Sequence, residues 1–369
     1  MRIGIDASPI TGDRGGVGWH TYHLLRAMLA TGAETEFVAY ARPGFVPPVE
    51  TGLWGGVDRL RWVTASKWAM KRQGAADRLD LYHGTNFRLH TTGRCGGVVT
   101  IHDLWLERFP QYSPKVLGQW LSSLKTKRLA NRARMVVTVS EFSANEVTSL
   151  YGLPRERIAV IYNGVSEEWH PRTDQSALTA LQARLGFPAK PYILFVGGAD
   201  PRKNHKTFLR AAALARKDLA GRMLLLVGSP VHPFGSYRNT AESVGLLDQV
   251  YCPGRLSTEE LALLYSFADL FVFPSLYEGF GMPVLEAMAC GAPVLTSKTT
   301  ALVEVAGDAA LLIDPENVEE LGEAMVKALK NEPLRRYLKE QGIQRAKQFT
   351  WGQAATRTLN LYYELCRSH

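Results

Sequence analysis

The chain has 369 residues, too many for one ordinary hydrophobic core, and the length predicts about two domains. Hydrophobic residues make up 46% and charged residues 21%, which excludes wholesale disorder, and no apolar run reaches the ~18 residues of a membrane-spanning helix. The formal charge is +8, and residues 61–134 carry the whole excess, with fourteen Lys/Arg against four acids. Such a patch either attracts phosphates, anionic lipid headgroups or nucleic acid, or is a solvated surface with no partner. The N-terminal MRIGIDASPI lacks a charged segment followed by a long apolar one, so no secretory signal is expected. Cys95, Cys252, Cys290 and Cys366 lie far apart, without a Cys-x-x-Cys pair or clustered histidines. Neither a disulfide framework nor a structural zinc site is expected, and a reducing cytoplasm is the expected location.

Short β-branched runs alternate with amphipathic stretches along the chain, the pattern of parallel sheets wrapped by helices. The first half predicts strands over 2–6, 35–40, 79–83, 98–102, 135–140 and 158–162. The second half predicts them over 192–197, 223–228, 250–253, 270–274, 293–297 and 310–314. Most are apolar throughout, as strands covered on both faces are. Residues 166–191 are polar and turn-rich, with Pro171, Pro188 and Pro191, which predicts a boundary near 168–190. After Asp314 the pattern is helical over 316–330, 333–348 and 351–366. The expected fold is α/β: two doubly wound domains, 1–168 and 191–350, facing each other across a cleft, with a linker over 169–190 and a terminal helix over 351–369. Ligands of open α/β sheets bind outside the carboxyl ends of the strands, so residues just after strands are the candidate site.

Four such stretches carry chemistry. The first is RGGVGWHTYHLL (14–25), where Gly12, Gly15, Gly16 and Gly18 precede a helix. It reads either as a structural βα turn or as a site where backbone amides meet an anion. The dinucleotide fingerprint fails at Thr21 and no Walker A sequence occurs. The second runs from Gly197 to Asn204. Asp200 suits an N-cap and Pro201 the first helical position, which predicts Arg202 and Lys203 in the first turn of a helix. The macrodipole disfavours cations there, so they either face solvent or hold an anion such as a diphosphate. The third is PSLYEGFGMPVLEAMACG, with Glu278 in a glycine-containing loop and Glu286 about one turn into a helix starting near 282–283. The spacing reads as two carboxylates at the two ends of an elongated polar ligand rather than as a glycosidase pair, although Glu278 alone also suits a helix cap. The fourth is Ile101-His102-Asp103-Leu104, which places His102 at a strand end, either structural or able to donate a hydrogen bond or shuttle a proton.

Together these stretches resemble glycosyltransferase family 4, the retaining, metal-independent enzymes of the GT-B fold. The strongest part is Glu-x7-Glu, met by Glu278 and Glu286. Asn163-Gly164-Val165, Phe349-Thr350-Trp351 and the GGVG stretch are also similar to that family, the last to its mannosyltransferase-like branch often linked to GDP-mannose. The resemblance implies that Arg202 and Lys203 hold the donor diphosphate and stabilise it as leaving group. It implies that Glu286 accepts from the ribose hydroxyls, and that Glu278 lies by the transferred sugar with the Gly279, Phe280 and Gly281 amides around it. Gly15 and Gly16 would approach the donor phosphate, His102 the sugar near its reacting carbon, and Arg255 and Leu256 the nucleobase. Many relatives carry Arg where this chain has Gly198, which leaves the diphosphate to Arg202 and Lys203.

The expected activity is therefore retaining, metal-independent transfer of a sugar, mannose foremost, from a GDP- or UDP-sugar to a glycan or lipid-linked acceptor in envelope polysaccharide assembly. No cofactor and no metal is expected. Breaking a sugar–diphosphate bond places charge on the departing oxygen, which fixed cations or a metal must neutralise, and no Asp-x-Asp metal motif occurs. The basic window, with Trp68 and Trp120 among its cations, suits an anionic membrane surface at the inner face. Two other readings stand beside this one. A non-hydrolysing sugar-nucleotide epimerase would turn over donor without acceptor. A non-catalytic sugar-nucleotide or nucleic-acid binding protein is favoured only by the basic patch, and no nucleic-acid partner is expected because no aromatic RNA-binding signature occurs.

Overall fold

The apolar segments of the first half assemble into one parallel sheet. The computed structural model describes residues 1–10, 15–44, 58–113, 116–233 and 235–368. Gly12 and Lys115 lie outside the described residues, as do the side chains of Lys67, Trp68, Lys71 and Trp120. The strands are β1 (Arg2–Asp6), β2 (Glu36–Ala41), β3 (Leu60–Thr64), β4 (Leu81–Gly84), β5 (Gly97–Ile101), β6 (Met135–Thr138) and β7 (Ile158–Val160), in the order β3-β2-β1-β4-β5-β6-β7. The sequence pattern predicts all of these but β3. That strand is the sheet edge, only partly covered, and so lacks the continuous apolar run that marks its neighbours.

A second parallel sheet is built from β8 (Tyr192–Val196), β9 (Met223–Val227), β12 (Val250–Gly254), β13 (Leu270–Phe273), β14 (Val294–Ser297) and β15 (Leu311–Ile313), in the order β12-β9-β8-β13-β14-β15. Between β9 and β12 lies an antiparallel ribbon of β10 (Val231–His232) and β11 (Gly235–Ser236). Each sheet reverses its strand order once: β1 is flanked by β2 and β4, and β8 by β9 and β13. These two reversals are topological switch points, where loops diverge and leave a crevice at the carboxyl edge.

The chain divides into two compact units, Met1–Gly164 with Thr350–His369, and Val165–Phe349. The segment expected as a linker over 169–190 instead belongs to the second unit. It contains a helix, Gln175–Leu185, capped by the Asp174 carboxylate, which accepts from the Ser176 and Ala177 N–H groups. Leu178 and Leu181 of that helix are buried. Its polar, proline-bounded sequence reflects one exposed face rather than absence of structure. The terminal helix Trp351–Arg367 packs into the core of the first unit, with Trp351, Ala355, Leu359 and Tyr362 among Tyr22, Leu25, Met28 and Ile5. At the exit from that unit the Gly164 backbone passes so close to Trp351 that a Cβ would lie 2.1 Å from the Trp351 nitrogen. Among the described residues no helix is long and apolar enough to cross a membrane.

The terminal helix is also tied to the sheet by polar groups. Buried His83, on β4, has Nδ1 2.5 Å from the Tyr362 hydroxyl and Nε2 2.7 Å from the Thr100 hydroxyl. Burial pushes its pKa down to about 3, with His102 nearby adding to the effect. The unfolded chain takes up this proton near pH 6.5 and the folded one does not, so the stability that His83 contributes is lost progressively as pH falls from about 6.5 toward 3. The expected slope for this one site is about 1.4 kcal/mol per pH unit. Thermal melts of wild type and His83→Gln between pH 7 and 4.5 check it, the variant losing less stability over that range.

Candidate active site

In the second unit the switch point brings together two segments that are 75 residues apart in the chain. After β8 the backbone runs through Gly197 and Gly198 into a single 3-10 turn, Pro201–Lys203, with the Asp200 carboxylate accepting from the Arg202 N–H at 2.9 Å. Arg202 and Lys203 are therefore not in the first turn of an α-helix. That helix, His205–Leu214, begins after Asn204, which adopts the left-handed conformation at φ +60. Asn204 is pinned there by its amide, which donates to the Pro274 and Pro315 carbonyls at 3.0 and 2.6 Å. The two cations thus sit just ahead of the helix rather than inside it, at its positive end, where the macrodipole still disfavours them.

The loop after β13 closes over this turn. The Arg202 carbonyl accepts from the Leu276 N–H at 2.9 Å, and the Ser275 hydroxyl oxygen lies 2.9 Å from it. The Glu278 carboxylate is 6% exposed and accepts from the Lys203 ammonium at 2.6 Å and the Ser275 hydroxyl at 2.7 Å. Burial alone would raise the Glu278 carboxyl, but the charges of Lys203 and Arg202 and its hydrogen bonds hold it below the usual carboxylate range. Burial lowers Lys203, and the Glu278 charge opposes only part of that. The pair is charged, water-poor and joined to an aromatic face, with the ammonium 5.1 Å from the Phe273 ring centre. Glu278 does not cap a helix. Gly281 does, at φ +112, where a Cβ would lie 2.6 Å from the Leu302 side chain, so only glycine fits.

Glu286 lies in the helix Met282–Ala289, reached through Gly279 and Phe280. Among the described residues its carboxylate has no hydrogen-bond or ion-pair partner. Burial lifts its pKa to about 7, with the charge of Lys203 working against the rise. A half-buried carboxyl without partners near the ends of parallel strands is suited to receive hydroxyl groups. Arg255 and Leu256 follow the edge strand β12, and the Arg255 side chain is exposed. At Gly198 a Cβ would make only ordinary contacts, with the Asp200 nitrogen at 3.8 Å and Ser229 at 3.9 Å, so a Cβ is not sterically excluded there.

In the first unit, Gly15 is the N-cap of the helix Gly16–Ala30 and no side chain caps it. Among the described residues a Cβ at Gly15 or Gly16 would meet nothing within 4 Å. Uncapped amides at a helix N-terminus can receive an anion. His102 follows β5, its Nε2 2.8 Å from the Thr85 carbonyl. A carbonyl only accepts, so Nε2 carries the proton. Burial lowers the His102 pKa, with the Thr85 carbonyl and Asp103 opposing. The neutral ring therefore presents Nδ1 as an acceptor rather than a donor. His20 stands edge-on to it at 4.6 Å and donates from Nδ1 to the Asn163 side-chain oxygen at 2.8 Å.

Sequence reasoning missed Ser275, Asn204, Thr300 and His20. Thr300 accepts from the Glu278 N–H at 3.4 Å and holds φ +59, a strained value for a β-branched residue. Its position, just after β14, was the available signal. The basic window is partly consumed by the fold: Arg61 pairs with Asp77, Arg94 with Asp80 and Arg108 with Glu146. Among the described residues no group of three or more His, Cys, Asp and Glu side chains is placed to hold a metal ion.

The sequence model of Glycosyl transferases group 1 matches residues 179–345, and that of Glycosyltransferase Family 4 matches residues 14–169. O-antigen chain mannosyltransferase B of Escherichia coli is 34% identical over 291 residues, 76% of this chain and 74% of that protein. The chain belongs to these glycosyltransferase families. The glycosyltransferase is also 31% identical over 242 residues to the MMP alpha-(1->4)-mannosyltransferase of Mycolicibacterium hassiacum, covering 64% of this chain and 55% of that one. Among solved structures, sucrose-phosphate synthase from Thermosynechococcus elongatus superposes with a TM-score of 0.77 at 22% identity over the whole of both chains. Anabaena HepE, crystallised with UDP and glucose, gives 0.75 at 19% identity over 99% of this chain and 100% of that one. The glycosyltransferase therefore has the GT-B class of fold, with two Rossmann-like units.

Proposed function

We propose that this glycosyltransferase moves mannose, with retention of configuration and without a divalent ion, from a nucleotide-diphosphate donor to a glycan or lipid-linked acceptor. GDP-mannose is the leading donor and a UDP-sugar the second. The setting is assembly of an envelope polysaccharide, at the cytoplasmic face of a membrane. The observation that carries the reading is the buried Lys203–Glu278 pair beside Arg202, at the switch point of a Rossmann-like sheet. Mannosyltransferases among the relatives support the choice of sugar.

In this reading Arg202 and Lys203 face the diphosphate, and their charges offset what develops on its oxygen as the bond to the sugar carbon breaks. A fixed cation pair needs no reorganisation during that step. Glu278, oriented by Ser275 and Lys203, accepts from a sugar hydroxyl, and Glu286 accepts from the ribose hydroxyls. His102 takes a hydroxyl proton on Nδ1 as a hydrogen bond near the reacting carbon. The acceptor oxygen forms its new bond on the face the diphosphate leaves, and its proton passes to the departing phosphate oxygen. Glu278 is already engaged by two donors, which suits holding substrate better than covalent attack.

Thermal shifts with GDP, UDP, ADP and dTDP and their sugars identify the donor, since a ligand of the native state raises Tm. Initial rates in EDTA are expected to equal those without it, and the product to keep the donor's anomeric configuration by NMR. Rates abolished by EDTA and restored by Mg²⁺ or Mn²⁺ would overturn the metal-free reading. Donor turnover without acceptor would favour the epimerase.

A further inference from the structure

The loop that follows β14, residues 298–302, lies along the loop that carries Glu278, and both belong to the second unit. The Ala301 N–H donates to the Glu278 carbonyl at 3.4 Å, and the Glu278 N–H donates to the Thr300 hydroxyl at the same distance. The Leu302 side chain fills the space beside Gly281, 2.6 Å from where a Cβ would stand there. Thr300 makes its contact at φ +59 and ψ −156, a region that is essentially glycine's own. Among the described residues the other non-glycine residues with positive φ are Arg78, Phe87 and Asn204, none of them β-branched. Glycine would make the same turn and keep the Ala301 hydrogen bond without strain. A threonine held there against its backbone preference points to a use for its side chain rather than for the turn.

The Thr300 hydroxyl has capacity left. It accepts one long hydrogen bond, and among the described residues its own hydrogen meets no acceptor. The hydroxyl of Thr299, one residue earlier, is closed off from solvent and has no partner, whereas Thr300 is half-buried. Of the two, Thr300 is therefore the one a ligand can reach. Glu278, whose backbone it touches, has a carboxylate that only accepts. A sugar hydroxyl that donates to this carboxylate keeps lone pairs of its own, and these take a hydrogen bond from a neighbouring O–H. Donation to Glu278 polarises the sugar hydroxyl and makes it the better acceptor.

We propose that Thr300 is a further substrate-contacting residue of the donor site, its hydroxyl donating to the same hydroxyl of the transferred sugar from which Glu278 accepts. The assignment rests on the donor reading above and adds the second half of the recognition of one sugar hydroxyl. The backbone strain at Thr300 is the cost of placing that O–H beside Glu278. A bare nucleotide carries no sugar to this contact, so Thr300 acts on the sugar and not on the diphosphate.

Titration calorimetry on the full chain tests it, comparing GDP with GDP-mannose and UDP with UDP-glucose in wild type, Thr300→Ser, Thr300→Val and Thr300→Gly. Thr300→Val keeps the branched shape and loses the hydroxyl, while Thr300→Gly loses the hydroxyl and the strain together. Both are expected to weaken the nucleotide sugar that wild type binds by about five- to tenfold, the loss of one hydrogen bond, and to leave the bare nucleotide within about twofold. Thr300→Ser keeps the hydroxyl and should bind both within about twofold of wild type. Thr300→Gly is expected to melt no lower than wild type, which separates a lost contact from a damaged fold. Wild-type affinity for the nucleotide sugar in Thr300→Val would overturn the proposal, as would equal losses for the nucleotide sugar and the bare nucleotide. A loss in Thr300→Gly alone would overturn it too, by assigning the effect to the turn rather than to the hydroxyl. A wild type that binds neither GDP-mannose nor UDP-glucose overturns the donor reading itself, and this proposal with it.

Discussion

Lys203→Ala is expected to lower kcat/KM for the donor about a hundred- to a thousandfold, the usual loss when one preorganised donor to a developing oxyanion is removed. The same change leaves the Glu278 carboxylate buried with the Ser275 hydroxyl and the Arg202 charge but without its ammonium partner. Breaking one side of a buried pair costs about 3–5 kcal/mol, so the second unit should also melt lower. Stability and catalysis then have to be separated. Lys203→Ala with Glu278→Ala removes both charges and should recover much of the stability without recovering turnover. An activity within threefold of wild type in Lys203→Ala would remove Lys203 from the chemistry. A double variant that regained turnover along with stability would reduce the pair to a structural bridge.

The second large effect is one of pH. Glu286 must be ionised to accept from hydroxyls without competition from its own proton, and burial has brought its pKa to about 7. Below that value the protonated fraction grows, so kcat/KM for the donor should approach a tenfold fall per pH unit, roughly fiftyfold between pH 7 and 5. Burial pushes His20, His83, His102 and His205 below the usual histidine value. His102, the one histidine placed at the donor, is among them, so an inflection near 7 is assigned to Glu286. Glu286→Gln is expected to start from a low rate and show no inflection there. A variant that kept the wild-type profile would place the titrating group elsewhere.

Most of the strand content was legible because each buried parallel strand is a short apolar run flanked by turn residues, a purely local signal. The exceptions each lack that signal for a different reason. β3 is an edge strand, the helix Gln175–Leu185 has a polar face, and the two-residue strands β10 and β11 are too short to carry a period. Glu278, Glu286, Arg202 and Lys203 could be picked out because they follow strands, where loops face the crevice. Ser275 and Thr300 follow strands too, but small hydroxyl residues are common in any loop and carry no distinguishing charge.

The sequence by itself determined two parallel α/β units, the residues at their strand ends and the family to which they belong. Only the tertiary structure decided that Lys203 reaches Glu278 across 75 residues, that Asn204 stops the helix before its cations enter it, and that Arg61, Arg94 and Arg108 are spent on internal pairs. The reason is physical. Apolar periodicity is written within a few residues of itself, whereas the partner of a charge is chosen by which strands the fold lays side by side.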